Sequence, residues 1–132
     1  MMSALVVVAA DEREIAIRIA LLSATNYKAD LTVVQSGDDA VQILRSIRFE
    51  IMIVDLRDGE DAATKVLELL RDERPGDLDR LLFISDVRRP SSLRGQARTI
   101  EGDEFTLKMP SLGRLIARTM SDVVPEMRVW TK

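Results

Sequence analysis

Ile51-Met52-Ile53-Val54-Asp55-Leu56 places four apolar side chains in a row and closes them with a carboxylate. A run that is apolar at consecutive positions suits a strand covered on both faces by helices. An acid half-buried at the end of such a strand needs a partner, because an unpaired buried carboxylate is costly. Working outward, runs of strand length recur at Ala4 to Ala9, Leu31 to Val34, Leu81 to Ile84 and Phe105 to Met109, and those beginning at Ala4 and Leu81 are also continuous and aliphatic. Between the runs the period changes to helical spacing. Ile15, Ile19 and Leu22 mark the first interval, Ala40, Leu44 and Ile47 the second, and Ala63, Val66, Leu67 and Leu70 the third. After the fifth run, Leu112, Leu115, Ile116, Met120 and Val123 make one more stripe, with Pro110 and Ser111 as its entry. The interval after Leu81 to Ile84 is poor in apolar residues and carries Pro90 and Gly95, so a short or mobile element is expected there. Strand alternating with helix five times predicts an α/β domain, a (βα)5 parallel sheet with helices on both faces.

The chain of 132 residues, 46% hydrophobic and 31% charged, suits one domain with a core of its own. We place that domain at residues 1–124 and a C-terminal tail, with the single tryptophan Trp130, at 125–132. With neither cysteine nor histidine, thiol nucleophiles and imidazole or thiolate zinc sites are excluded, so any metal would be hard and oxygen-bound. A net charge of −3 gives no electrostatic case for direct DNA binding. The sequence has no apolar run of the roughly 18 residues a membrane span requires and no basic secretory start, so a cytoplasmic location and no membrane partner are expected.

In open α/β sheets, ligands gather where the strands deliver their carboxyl ends. The residues there are Asp11 and Glu12 after the first run, Asp55 after the third, Ser85 and Asp86 after the fourth, and Lys108 in the fifth. Carboxylates crowded from adjacent strands are relieved by a divalent cation, Mg²⁺ above all, while a lysine and a hydroxyl suit a phosphoryl group. Each residue also has a plainer role: Asp11 or Glu12 as a turn former or helix cap, Ser85 as a strand-end hydroxyl, Lys108 as a surface lysine.

In this arrangement the sequence resembles the receiver domain of two-component response regulators, a flavodoxin-like (βα)5 fold with strand order 2-1-3-4-5. Leu5 to Glu14 is similar to the family's opening strand and acidic pair, with Ala10 where the first acid usually stands. Ile53-Val54-Asp55-Leu56 matches the phosphoacceptor strand end, Leu82-Phe83-Ile84-Ser85 the strand with the switch hydroxyl, and Phe105-Thr106-Leu107-Lys108 the switch aromatic and lysine. The resemblance implies a non-enzymatic, stand-alone response regulator. Asp55 would accept a phosphoryl group from a histidine kinase or phosphotransfer protein, and a surface would be offered to a downstream protein partner. It implies Mg²⁺ on Asp11 and Asp55, with Glu12 as a further candidate, and binding weakened by Ala10. Ser85, Phe105 and Lys108 would bind the phosphoryl group and switch.

Departures cluster around that pocket. Asp86 stands where the family has a small residue, either regaining the acid lost at position 10 or repelling the phosphodonor. Arg57 lies where it could pair with Asp55 and stand in for a cation. The loop after Asp55 lacks the usual proline and glycine, and Pro110 is displaced by one from the family's cis-prolyl position. These changes favour an alternative: a receiver-like interaction module independent of phosphorylation. The acids of Asp11 to Glu14 argue against a flavin carrier, since they repel a cofactor phosphate. Arg80, Arg88, Arg89, Arg94 and Arg98 beside Glu101, Asp103 and Glu104 are expected to form an edge suited to an acidic partner. The same edge would suit a homodimer through the fourth helix, fifth strand and fifth helix.

Overall fold

The computed structural model describes residues 1–127 of the chain; Trp130 lies outside the described residues. Five strands form one parallel sheet: β1 (Met2–Val7), β2 (Ala29–Val34), β3 (Ile51–Asp55), β4 (Leu81–Asp86) and β5 (Arg98–Gly102), in the order β2-β1-β3-β4-β5. The helices are α1 (Asp11–Ala24), α2 (Gly37–Leu44), α3 (Asp61–Glu73) and α4 (Ser111–Met120), with 3-10 turns at Leu56–Asp58 and Pro75–Arg80.

Strand side chains alternate between two cores. Ala4, Val6, Ile51, Ile53, Leu82, Ile84 and Ile100 join α1 and α4 on one face, while Leu5, Val7, Met52, Val54, Leu81 and Phe83 join α2 and α3 on the other. Consecutive apolar residues in β1, β3 and β4 are thus the direct consequence of covering both faces. Parallel register sets Val7 against Val34 and Val54, Asp55 against Ile84, and Ser85 against Glu101, which brings the strand ends to one rim.

The fifth strand is Arg98–Gly102 and not Phe105 to Met109. The later stretch is a turn organised by Asp103, whose Oδ1 accepts from the backbone N–H groups of Phe105 and Thr106 at 3.0 and 2.9 Å. Of its apolar residues only Leu107 enters the core; Phe105 is 74% exposed. No helix joins β4 to β5. Residues 87–97 run as turns, so the short element expected between β4 and β5 is a strap without a helix, and the helix after β5 is α4. The strap is tied to α3 and the loop before it. Glu60 accepts from the hydroxyls of Ser91 and Ser92, Arg71 donates to Gln96, and Leu93 and Ala97 lie against the α2/α3 core.

In α1 the buried face is Ile17, Ala20, Leu21 and Ala24, whereas Ile15 and Ile19 are about half exposed. Small residues permit this rotation: a Cβ at Gly113 of α4 would lie 3.3 Å from the Ala20 carbonyl oxygen, so the two helices meet at close range. Ile47 falls beyond the end of α2 and is exposed. Ser36 caps α2 by accepting from Asp39 N–H at 3.2 Å, and a Cβ at Gly37 would come within 2.8 Å of Ala62 Cα. The packed core extends to Met127, which is buried, so folded structure continues three residues past position 124. The Met109–Pro110 bond is cis.

Candidate functional site

β3 ends at Asp55, and the chain turns at once into the 3-10 turn Leu56–Asp58. Asp55 caps that turn, its Oδ1 accepting from Arg57 N–H at 2.9 Å. The tight turn returns the Arg57 side chain over the carboxylate. Arg57 Nε donates to Oδ1 at 2.9 Å and lies 3.2 Å from Oδ2, and Nη2 donates to Oδ2 at 2.8 Å. This is a forked, charge-assisted contact that uses both carboxylate oxygens. The Asp55 side chain has no exposure to solvent and that of Arg57 only 14%.

A second guanidinium arrives from the first turn of α1. Arg13 Nε lies 3.5 Å from Asp55 Oδ2, and Arg13 Nη2 is ion-paired with Asp58 Oδ1. Asp58 Oδ2 accepts from the Ala9 N–H at 2.8 Å. Two carboxylates and two guanidinium groups thereby form a neutral circuit in the order Arg57, Asp55, Arg13, Asp58 beside the ends of β1 and β3. Ala10 sits at the N-cap of α1 with no side chain to cap it.

The remaining residues are arranged otherwise than the sequence suggests. Asp11 and Glu12 project from the first turn of α1 and are exposed, outside the circuit. Asp86 turns onto its own loop and accepts from Arg88 N–H at 2.8 Å, so it is a turn former. Ser85 is buried next to Asp55's level of the sheet, and its Oγ has no hydrogen-bond partner among the described residues. The Nε of Arg13 is the other buried atom in that condition. Phe105 and Lys108, which the resemblance places on the fifth strand as switch residues, lie in the turn after β5 and are exposed. No ion pair to Lys108 occurs among the described residues.

The donor set does not fit a divalent cation. Asp55 is occupied by arginine on both oxygens, and among the described residues no three Asp or Glu side chains gather closely enough to hold a metal. The basic edge is also smaller than expected. Arg80 donates to the carbonyls of Glu50 and Val123, Arg98 pairs with Asp122 at 2.7 and 2.9 Å, and Arg94 lies 3.8 Å from Glu101. Arg88 and Arg89 remain exposed.

Arg13 and Asp58 carry no motif that marks them. Their part depends on Arg13 lying in the first turn of α1 and on Asp58 closing the turn after β3, which only the fold brings together.

These strand ends, on this topology, define a domain with the fold of response regulator receivers. A protein assigned as a response regulator from Chloroflexus aurantiacus J-10-fl superimposes with a TM-score of 0.68 at 14% identity, over 94% of this chain and 98% of that one. The receiver domain of a sensor histidine kinase from Pseudomonas aeruginosa PAO1, with a magnesium ion coordinated in its active-site cleft, gives 0.61 at 18% identity, over 91% of this chain and 98% of that one. A sensor protein from Polaromonas sp. JS666 gives 0.61 at 22%, over 93% and 98%. No family model and no curated protein matches the sequence. Among the described residues no helix is long and apolar enough to cross a membrane.

Proposed function

We propose that this chain is a receiver-fold protein-interaction module whose output does not depend on phosphoryl transfer to Asp55. One observation carries the proposal: both carboxylate oxygens of Asp55 are held by Arg57, with the side chain out of contact with water. Attack on a phosphodonor requires a carboxylate oxygen with an available lone pair and an approach path. Breaking a buried ion pair by withdrawing one partner costs about 3–5 kcal/mol, which corresponds to a slowing of roughly two to four orders of magnitude. Ala10 and the exposed Lys108 add to the effect, since neither supplies charge to the pocket. The module works by binding and not by turnover, in the cytoplasm. Its contact surface is the face of strap, β5 and α4, where Arg88 and Arg89 favour an acidic protein partner or a second copy.

The test is incubation of the full chain with acetyl phosphate and Mg²⁺, read by intact mass. An unmodified mass is expected. A single added phosphoryl group that disappears in Asp55→Asn would overturn the proposal. It would favour the alternative of a phosphorylated receiver, for which a histidine kinase or phosphotransfer protein would be the donor and Mg²⁺ a weakly held cofactor. One feature favours that alternative: the unpartnered Ser85 Oγ at the strand end beside Asp55, an available donor for a phosphoryl oxygen.

A further inference from the structure

We infer that the guanidinium groups of Arg13 and Arg57 are an internal replacement for a divalent cation, so that this site becomes a metal site only when they are removed. The inference rests on Asp55 being held within the chain, as proposed above, and adds what holds it and why.

Charge comes first. Asp55, at the end of β3, and Asp58, in the turn that follows it, bring two negative charges together, and Arg13 and Arg57 bring two positive ones, the charge of one divalent ion. Carboxylates gathered in a partly dry site repel one another unless a cation lies between them. Arginine is suited to that task because it stays protonated and offers a planar fork of donors. Geometry agrees. Arg57 covers Asp55 with three side-chain contacts between 2.8 and 3.2 Å, and Arg13 spans Asp55 and Asp58, as a shared cation would.

The surrounding sequence is consistent with an exchange of one cation for another. Position 10, the N-cap of α1, is Ala10, so no third carboxylate remains there to be neutralised. Asp58 has its other oxygen committed to Ala9 N–H at 2.8 Å, which leaves it a single site for Arg13. A hard divalent ion needs six or more oxygen ligands. In the native chain the oxygens it would use already accept from nitrogen. Taking both arginines away would leave Asp55 and Asp58 uncompensated close together, with the rest of a divalent ion's ligand shell to be filled by water.

The experiment titrates Mn²⁺ into the full chain and into Arg13→Ala/Arg57→Ala, following binding by electron paramagnetic resonance and Tm with EDTA or with Mn²⁺. Wild type should show no saturable binding in the micromolar range and the same Tm in both conditions. The double variant should melt lower in EDTA, recover in Mn²⁺, and bind Mn²⁺ with a Kd lower than wild type by about tenfold or more, about 1.4 kcal/mol. Adding Asp55→Asn should abolish the recovery. Saturable micromolar binding by wild type, or a folded double variant unmoved by Mn²⁺, overturns the inference. Should the double variant fail to fold, Arg57→Gln is titrated in its place, and a Kd equal to that of wild type overturns the inference equally. Phosphodonor labelling of wild type is a separate readout. Labelling defeats the proposed function, whereas an unlabelled wild type with an unresponsive variant defeats only the replacement of the cation.

Discussion

At Ser85 the protein keeps a hydroxyl in the driest part of β4's end, with no acceptor or donor beside it among the described residues. A buried polar group left without a partner costs about 1–3 kcal/mol. Ser85→Ala should therefore raise stability by about 1 kcal/mol, measured as a higher denaturant midpoint with an unchanged m-value; a lower midpoint would show that the hydroxyl has a partner. Phe105 gives the opposite contrast. Its ring is exposed, so Phe105→Ala should stay within about 0.5 kcal/mol of wild type, while Leu107→Ala, two residues on and buried, should cost about 2–5 kcal/mol. The need of Asp55 for a partner was legible in sequence, because a carboxylate closing an apolar run is costly alone; that Arg57 supplies it, and does not stand in solvent, is decided by the tight turn after β3. The role of Asp86 was not. The same residue type serves a ligand or its own turn, and only the backbone of Arg88 decides between them.

At the scale of elements, α1 separates what hydrophobic period shows from what it does not. Its sequence is apolar on nearly every side between Ile15 and Leu22, so spacing alone supports two faces. The small residues Ala20 and Ala24 choose between them, since they allow close approach to the sheet and to Gly113. Ile17→Ala should cost about 2–5 kcal/mol and Ile19→Ala within about 0.5 kcal/mol, in the same chemical-denaturation assay. Gly37→Ala should destabilise by about 1–3 kcal/mol, because its new methyl group would press on the Ala62 backbone and push α2 off α3. The central strands were legible because they are buried on both faces. β5 was not: Arg98-Thr99-Ile100-Glu101-Gly102 is an edge strand with one buried apolar side chain of size, whereas the turn that follows carries more apolar residues than it buries.

In the molecule as a whole, acid should act first on one face. Hydrogen bonds from Arg98 hold the Asp122 carboxyl below the usual carboxylate range; those from Ser91 and then Ser92 do the same for Glu60, and those from the Thr106 and Phe105 backbone for Asp103. Each group titrates lower folded than unfolded, so its stabilisation is complete above the ordinary carboxylate range and is lost as pH falls through the lowered value. These latches join the strap to α3, order the turn after β5, and tie β5 to the end of α4. Hydrogen exchange over residues 87–106 should therefore rise with acid before exchange in β1 and β3 does, once corrected for intrinsic rates. Asp122→Asn should flatten the acid limb of the Tm profile.

The connection from β4 to β5, made by turns where a helix would be expected, also governs how the chain meets a protease. Backbone in turns opens locally far more readily than helix or central strand. Residues 87–97 present Arg88, Arg89 and Arg94 in an exposed segment, and Pro90 shields the bond after Arg89. Brief exposure to trypsin should cut first after Arg88 and Arg94. The flanking pieces should stay associated as one nicked particle on gel filtration, because β4 and β5 remain paired through Leu82 to Asp86 and the fully buried residues of both cores lie outside residues 87–97.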